Sequence, residues 1–443
     1  MIQLPSDELF SNIFTTTLDN GLRVVVHSFP SPSVGFSAAV LTGPIWETPE
    51  NSGISHFLEH AVFRGIPRYP SAKKLALALD KVGSDANAAT FCDLTAFSQR
   101  LLPESVEAGM EIARDMLSIP VFEGIEVERN IILEECMEDI DEEGKLIAVD
   151  QLSSQLLYDS HPYSHPILGT RESVRLITRS MLKKHLGLFY RPENMVVTLS
   201  GEIDKNSAFE MANKVFGTLK SNSNSRPFSS EIAAVPKFSG PVLKVVKSPK
   251  SQINIRFSFT ALPIPDPDFY LVKAIANILD SSSGSPLRNA LQEKSGLCYS
   301  LGCGIDAYQK AGAVHIDLSV QPSRLTEAIE KTMKVFRNIS KKGFSREENI
   351  LMKEQYIKEK RFSSNDHWEF SGRKAMELLF DLPRTIKDEY DMFTAIPDEK
   401  LVEIARKVFG SENLGITLIG PVTKALQNEI AALSYFSNLR VSE

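Results

Sequence analysis

Residues 193–201 read ENMVVTLSG and residues 412–420 read ENLGITLIG, 219 positions apart. The same shift carries ERNIILEE (128–135) onto EENILMKE (347–354) and Gly124 onto Gly343. Three matches at one offset, with no gap, read as a unit of about 220 residues written twice, and a repeat of that size sets the architecture before any local pattern does. Between the copies, SNSNSRPFSS (221–230) has the Ser/Asn-rich composition of a linker. The expected organisation is a first domain over 1–220, a linker over 221–240 and a homologous second domain over 241–443.

Each copy mixes strands with helices. GLRVVVHSF (21–29) and VGFSAAVLTG (34–43) are β-branched or apolar runs bounded by Gly, Asn and Pro, and read as strands. Residues 71–82 place Leu75, Leu79 and Val82 on one face behind a capping Ser71, so they read as an amphipathic helix. The small and β-favouring residues that follow predict a hairpin, and 104–118 and 126–140 predict helices. In the second copy, VLKVVKS, INIRFSFTAL and VHIDLSV are the strands, with helices over 323–338 and 345–361. Strands beside segregated helices predict an α+β fold, two tandem homologous domains each with a mostly antiparallel sheet.

Composition narrows the function. The 443 residues are 42% hydrophobic and 24% charged, the make-up of a globular protein with room for two cores. Lys and Arg number 49 against 56 Asp and Glu, spread along the chain, which argues against a nucleic-acid partner held by a basic face. No apolar run approaches the ~18–20 residues of a membrane span. The opening MIQLPSDELF has neither the basic and apolar regions of a secretory signal nor the Arg-rich character of a transit peptide. Four cysteines without a CxxC pair fit a reducing compartment, and the expected location is cytoplasmic.

The chemistry concentrates in His-Phe-Leu-Glu-His, 56–60. On a helix His56 and His60 stand one turn apart on one face, with Glu59 in the same stripe. Two imidazoles so placed can share a zinc, and a carboxylate beside the open position can take a proton from zinc-bound water. A catalytic zinc needs a third protein ligand, and 126–143 is crowded with acids, most of which read as a solvated helix face. Glu128 and Glu135 differ, because seven residues return them to one helix face with Ile131 and Ile132 between them in sequence. They could supply one ligand and one group that orients a ligand. The repeat sharpens this, since shifting His56, Glu59 and His60 by 219 gives Ile275, Ile278 and Leu279. Where one copy has metal-type residues, its twin has only hydrocarbon.

HFLEH followed by ERNIILEE resembles the inverzincin peptidases, the group of pitrilysin, insulin-degrading enzyme and the mitochondrial processing peptidase. The likeness spans most of the chain, duplication included. It implies a zinc metalloendopeptidase in which His56, His60 and Glu135 bind zinc, Glu59 is the general base and Glu128 is the supporting carboxylate. Glu135 is preferred to Glu134 because it takes the family's position. Asn87, Ala88, Ala89 and Thr90 resemble the family's NAxT edge strand, which holds a peptide through main-chain hydrogen bonds. A family Tyr is Phe97 here. The family also carries an Arg and a Tyr seven apart in its second domain; this chain has Tyr299 but Gln292 at the Arg position, with Arg288 one turn early. A neutral amide stabilises an oxyanion less than a cation does. The departure fits a chain completed by a related partner, as a homodimer or heterodimer enclosing short or unfolded peptides. The rival readings are a non-catalytic structural subunit of the same fold and a zinc protein acting on a small molecule.

The remaining features carry less. Prolines beside His161 and His165 break any helix that would join them, and LDSSSGSPLRN (279–289) lacks phosphate-loop spacing. No pattern supports a nucleophilic Ser or Cys, and Cys136 reads as helix packing.

Overall fold

The computed structural model describes residues 10–221, 232–363, 366–382, 384–436 and 438–442. Residues 1–9 of the N-terminal stretch weighed above as a targeting segment, and half of the expected linker, therefore lie outside the described residues. Residues 232–240 run without helix or strand.

Two six-stranded sheets organise the chain. The first contains β1 (Ile13–Thr17), β2 (Arg23–Ser28), β3 (Val34–Val40), β4 (Gly83–Thr90), β5 (Thr95–Leu101) and β6 (Met195–Gly201), in the order β1-β2-β6-β3-β5-β4. The second contains β7 (Val242–Lys247), β8 (Ile253–Ala261), β9 (Leu301–Ala307), β10 (Gly312–Val320), β11 (Leu414–Gly420) and β12 (Arg440–Ser442), in the order β12-β7-β11-β8-β10-β9. The 219-residue shift carries β2 onto β7 and β6 onto β11, and in each sheet that pair runs parallel. The outermost strand differs: β1 lies antiparallel on β2, whereas β12 comes from the chain's far end and lies parallel on β7. The other pairings are antiparallel, so the α+β expectation holds.

Helices of the first half are α1 (Ile54–Ala61), α2 (Ala72–Val82), α3 (Val106–Ser118), α4 (Ile125–Glu138), α5 (Val149–Tyr158), α6 (Arg171–Leu176), α7 (Arg179–Phe189) and α8 (Lys205–Phe216). Those of the second half are α9 (Phe269–Asp280), α10 (Leu325–Lys342), α11 (Arg346–Ser363), α12 (His367–Leu379), α13 (Ile386–Thr394), α14 (Asp398–Val408) and α15 (Lys424–Ala431). Ser71 caps α2 by accepting from Lys74 N, as its sequence predicts. Gly124 and Gly343, a matched pair, both adopt left-handed backbone just before α4 and α11, where a side chain would be strained.

The run VVV in β2 is buried on both faces. Val24 and Val26 join the first half's own core, while Val25 joins the core dominated by the second half. A sheet covered on both sides needs such an unbroken apolar run. The cover is reciprocal: α12 of the second half lies against β3 and β6, and α5 of the first half lies against β8 and β11. Glycine permits both approaches. A Cβ at Gly35 would stand 2.4 Å from His367 Cβ, and one at Gly415 would stand 2.8 Å from a Leu156 methyl. No described helix is long and apolar enough to cross a membrane.

Candidate metal centre

Helix α1 starts from a buried carboxylate rather than a neighbouring cap. Glu47 accepts from the backbone N–H of Gly53 at 2.6 Å and of Ser55 at 2.9 Å. Those bonds occupy N–H groups that a helix start leaves without partners. Burial pushes the Glu47 carboxyl up to about 7, although the same hydrogen bonds pull it down. Along α1, Phe57, Leu58 and Ala61 anchor the helix in the core, and the other face carries His56, Glu59 and His60.

The two imidazole rings stand 4.6 Å apart between centroids. Helix α4 brings Glu135 to both: its Oε2 is 3.7 Å from His56 Nε2, and its Oε1 is 3.6 Å from His60 Nε2. Both distances exceed a hydrogen bond. They come close to the spacing of donors around one ion, since zinc bonds of about 2.0–2.2 Å set tetrahedral ligands roughly 3.3–3.6 Å apart. The donor set of two imidazoles and a carboxylate is a zinc set, so these residues fit the metal. His56, Glu59 and His60 offer ligand atoms within 4.8 Å of one another, the one such grouping of three among the described residues.

Surrounding groups fix the donors. Glu128 Oε2 lies 3.1 Å from His60 Nδ1, which turns Nε2 towards Glu135. Glu128 Oε1 accepts from Arg64 Nη1 at 3.2 Å, and Arg64 Nε also donates to the carbonyl of Glu123. A carboxylate on the far nitrogen of a metal-binding imidazole sets its tautomer and its angle. Arg129, next to Glu128, does different work: it donates to the carbonyls of Val174 and Ile177 and so ties α4 to the end of α6. His56 Nδ1 is buried without a hydrogen-bond partner. Burial, then the neighbouring His60, lowers the His56 pKa to about 3, which keeps the ring neutral and able to ligate.

Glu59 is not left to wander. Thr90, the last residue of β4, donates its hydroxyl to Glu59 Oε2 at 2.5 Å. Burial raises the carboxyl of Glu59 above the usual range, against the pull of Thr90. Desolvation also raises Glu135. Strand β4 is an edge strand, paired to β5 on one side only, and Asn87, Ala88 and Ala89 lead along it to Thr90. The sequence placed Thr90 in a peptide-binding strand; its link to Glu59, like the Arg64–Glu128 bond, joins residues too far apart for any local pattern to signal.

Among its described residues the second half supplies nothing comparable. Ile275, Ile278 and Leu279 are 1%, 4% and 0% exposed in α9. Tyr299 is 98% exposed, on a surface turn after the short helical stretch 286–293. Gln292 donates to the Tyr299 carbonyl at 2.8 Å and accepts from Arg288 Nη1 at 3.1 Å. Arg288 also pairs with Asp280 at 2.5 Å, so it is committed to holding this turn. His161 accepts from Tyr163 N at the start of a single helical turn, and Cys136 is buried, as expected of structural residues.

Known proteins resemble this chain. Residues 23–171 match the family described as insulinase (peptidase family M16), and residues 176–356 match the family described as the peptidase M16 inactive domain. The "Uncharacterized zinc protease YmxG" of Bacillus subtilis is 27% identical over 411 residues, spanning 91% of this chain and 97% of that one. The "Mitochondrial-processing peptidase subunit beta" of Dictyostelium discoideum is 25% identical over 335 residues, spanning 73% of this chain and 71% of the relative. A solved peptidase M16 inactive domain from Pseudomonas fluorescens superposes with a TM-score of 0.83 at 19% identity, covering 93% of this chain and 99% of its own. With both its halves matched and its site residues standing together, the chain belongs to the M16 peptidase family.

Proposed function

We propose that the chain is a zinc-dependent endopeptidase. The observation that carries this is the convergence of His56 Nε2, His60 Nε2 and both Glu135 oxygens at ligand spacing beside Glu59. His56, His60 and Glu135 would hold zinc, which polarises a scissile carbonyl and lowers the pKa of water. Glu59 takes the proton from the attacking water and returns it to the leaving amine, with Thr90 holding its carboxylate in place. Glu128, braced by Arg64, fixes His60. The open edge of β4 offers main-chain partners along Asn87–Thr90 to an extended peptide, so backbone rather than side chain dominates recognition. Short or unfolded chains meet that requirement; a folded domain does not.

Tyr299, fully exposed and far from committed to its own turn's packing, is the group we assign to a partner chain's site, in a homodimer or with a related subunit. The mass in solution and the turnover of Tyr299→Phe test this, and a fully active monomer removes the partner. A cytoplasmic location is supported by four cysteines that are all unpaired, three of them buried.

A non-catalytic subunit of the same fold is the second reading, favoured by Gln292 at the family's Arg position. Glu59→Gln decides between them. The peptidase reading expects peptide turnover to fall about 10²–10⁴-fold while zinc content by elemental analysis stays unchanged. Wild-type chain with full zinc and no turnover on any unfolded peptide would establish the other.

A further inference from the structure

Away from the metal centre, a cavity of about 510 Å³ opens where the start of the first half meets the helices of the second. Its size falls within the roughly 300–1,000 Å³ of small-molecule sites. Phe10, His27, Lys273 of α9, Lys360 of α11, Arg373 of α12 and Glu389 of α13 line it. Apolar walls come from Phe370, Met376 and Ile386.

The cations here share their acids unequally. Glu389 is 4% exposed and serves three cations. Arg373 Nη2 lies 2.9 Å from its Oε1, and Arg384 Nε lies 3.6 Å from the same oxygen. Burial, helped by the repulsion of Lys360 and Arg373, lowers the Lys273 pKa against the attraction of Glu389 and Glu359. Lys360 is better supplied, pairing with Glu369 at 3.0 Å and Glu359 at 3.3 Å, and Asp366 caps α12 through Glu369 N. Arg384 spends Nη2 on the carbonyls of Ile264 and Asp266.

Arg373 is the exception. It is 8% exposed, yet none of its three guanidinium nitrogens makes an aligned hydrogen bond among the described residues. His27 Nδ1, also at the cavity, is likewise buried without a partner. A buried charge without full compensation is costly. A planar guanidinium fork is matched by a carboxylate, which accepts two parallel N–H bonds. The hydrocarbon walls ask for more than a bare ion.

We propose that this cavity binds a small monocarboxylate with an apolar body, its carboxylate on Arg373 and Lys273 and its hydrocarbon against Phe10 and Phe370. The site is separate from the metal centre and does not rest on peptidase activity. Binding of phenylacetate to the full chain tests it, followed by calorimetry at constant ionic strength. One saturable site per chain is expected, with Kd raised at least tenfold in both Lys273→Met and Arg373→Gln and zinc content unchanged. No saturable heat above that of matched chloride, or an unaltered Kd in both variants, overturns it. Should the variants fail to fold, the wild-type chain still decides: phenethylamine, of like size and opposite charge, must not bind, and equal binding of the two overturns the proposal. Tighter binding of inorganic phosphate than of phenylacetate would overturn the apolar body.

Discussion

Helices α1 and α9 occupy the same place in the two copies and are built from opposite chemistry. In α9 the positions matching His56, Glu59 and His60 hold Ile275, Ile278 and Leu279, all buried. Glu128 and Glu135, by contrast, keep carboxylate counterparts in Glu347 and Glu354. The second copy has thus kept the acids and lacks the imidazoles. Acids on a helix are ordinary surface residues; buried polar groups at positions suited to hydrocarbon need a compensating partner. The imidazole pair is therefore what distinguishes a site from a scaffold here.

The hardest blow to that contrast falls on Glu135. Glu135→Ala should lose bound zinc and all turnover, while Glu134→Ala, on the exposed face, and Glu354→Ala, in the second copy, should lose neither. Elemental analysis of the three variants reads the outcome, and loss of zinc in Glu134→Ala would shift the register by one. Placing the first copy's chemistry in the second is the converse experiment. Ile275→His should cost roughly 2–5 kcal/mol in a denaturant titration, from a lost buried side chain and a buried imidazole without a partner. A smaller change is expected at the support of His60: Glu128→Gln should weaken zinc about 10–100-fold in a competition with a chelator.

The mildest test is pH. His185 of α7 matches Ile404 in the second copy. It is buried beside Thr42 and Ser55, and burial lowers its pKa to about 3. His27 is lowered to about 4, chiefly by burial and then by His367. A ring held neutral contributes stability that is whole above its unfolded pKa, near 6.5, and is lost as pH falls towards the folded values. Each such histidine should cost up to about 1.4 kcal/mol per pH unit over that range. Replacing His185 with the twin's isoleucine should flatten the acid limb of the stability profile measured by urea titration; an unchanged slope would mean the ring is not held neutral.

Much of this was legible in the amino-acid order. The duplication, the strands VVV and INIRFSF, the capped helix after Ser71 and the HFLEH stripe all depend on local spacing, which a sequence displays directly. Glu135 needed the resemblance to separate it from Glu134, because both sit in one acidic run. What could not be read was contact across distance: Arg64 reaching Glu128, Thr90 reaching Glu59, Glu47 capping a helix from six residues upstream. Nor did the run 286–299 reveal that Arg288 would be used to hold the turn, leaving Tyr299 outside.

Because each sheet is roofed by a helix drawn from the opposite half, the two halves share their packing. Severed at the junction, either piece would carry a bare apolar sheet face wanting the other's helix. Val25, Ala39 and Val196, strand residues of the first half that sit in the second half's core, are the seam along which the two would recombine. The copy that carries the two imidazoles accordingly borrows part of its packing from a twin that lacks them.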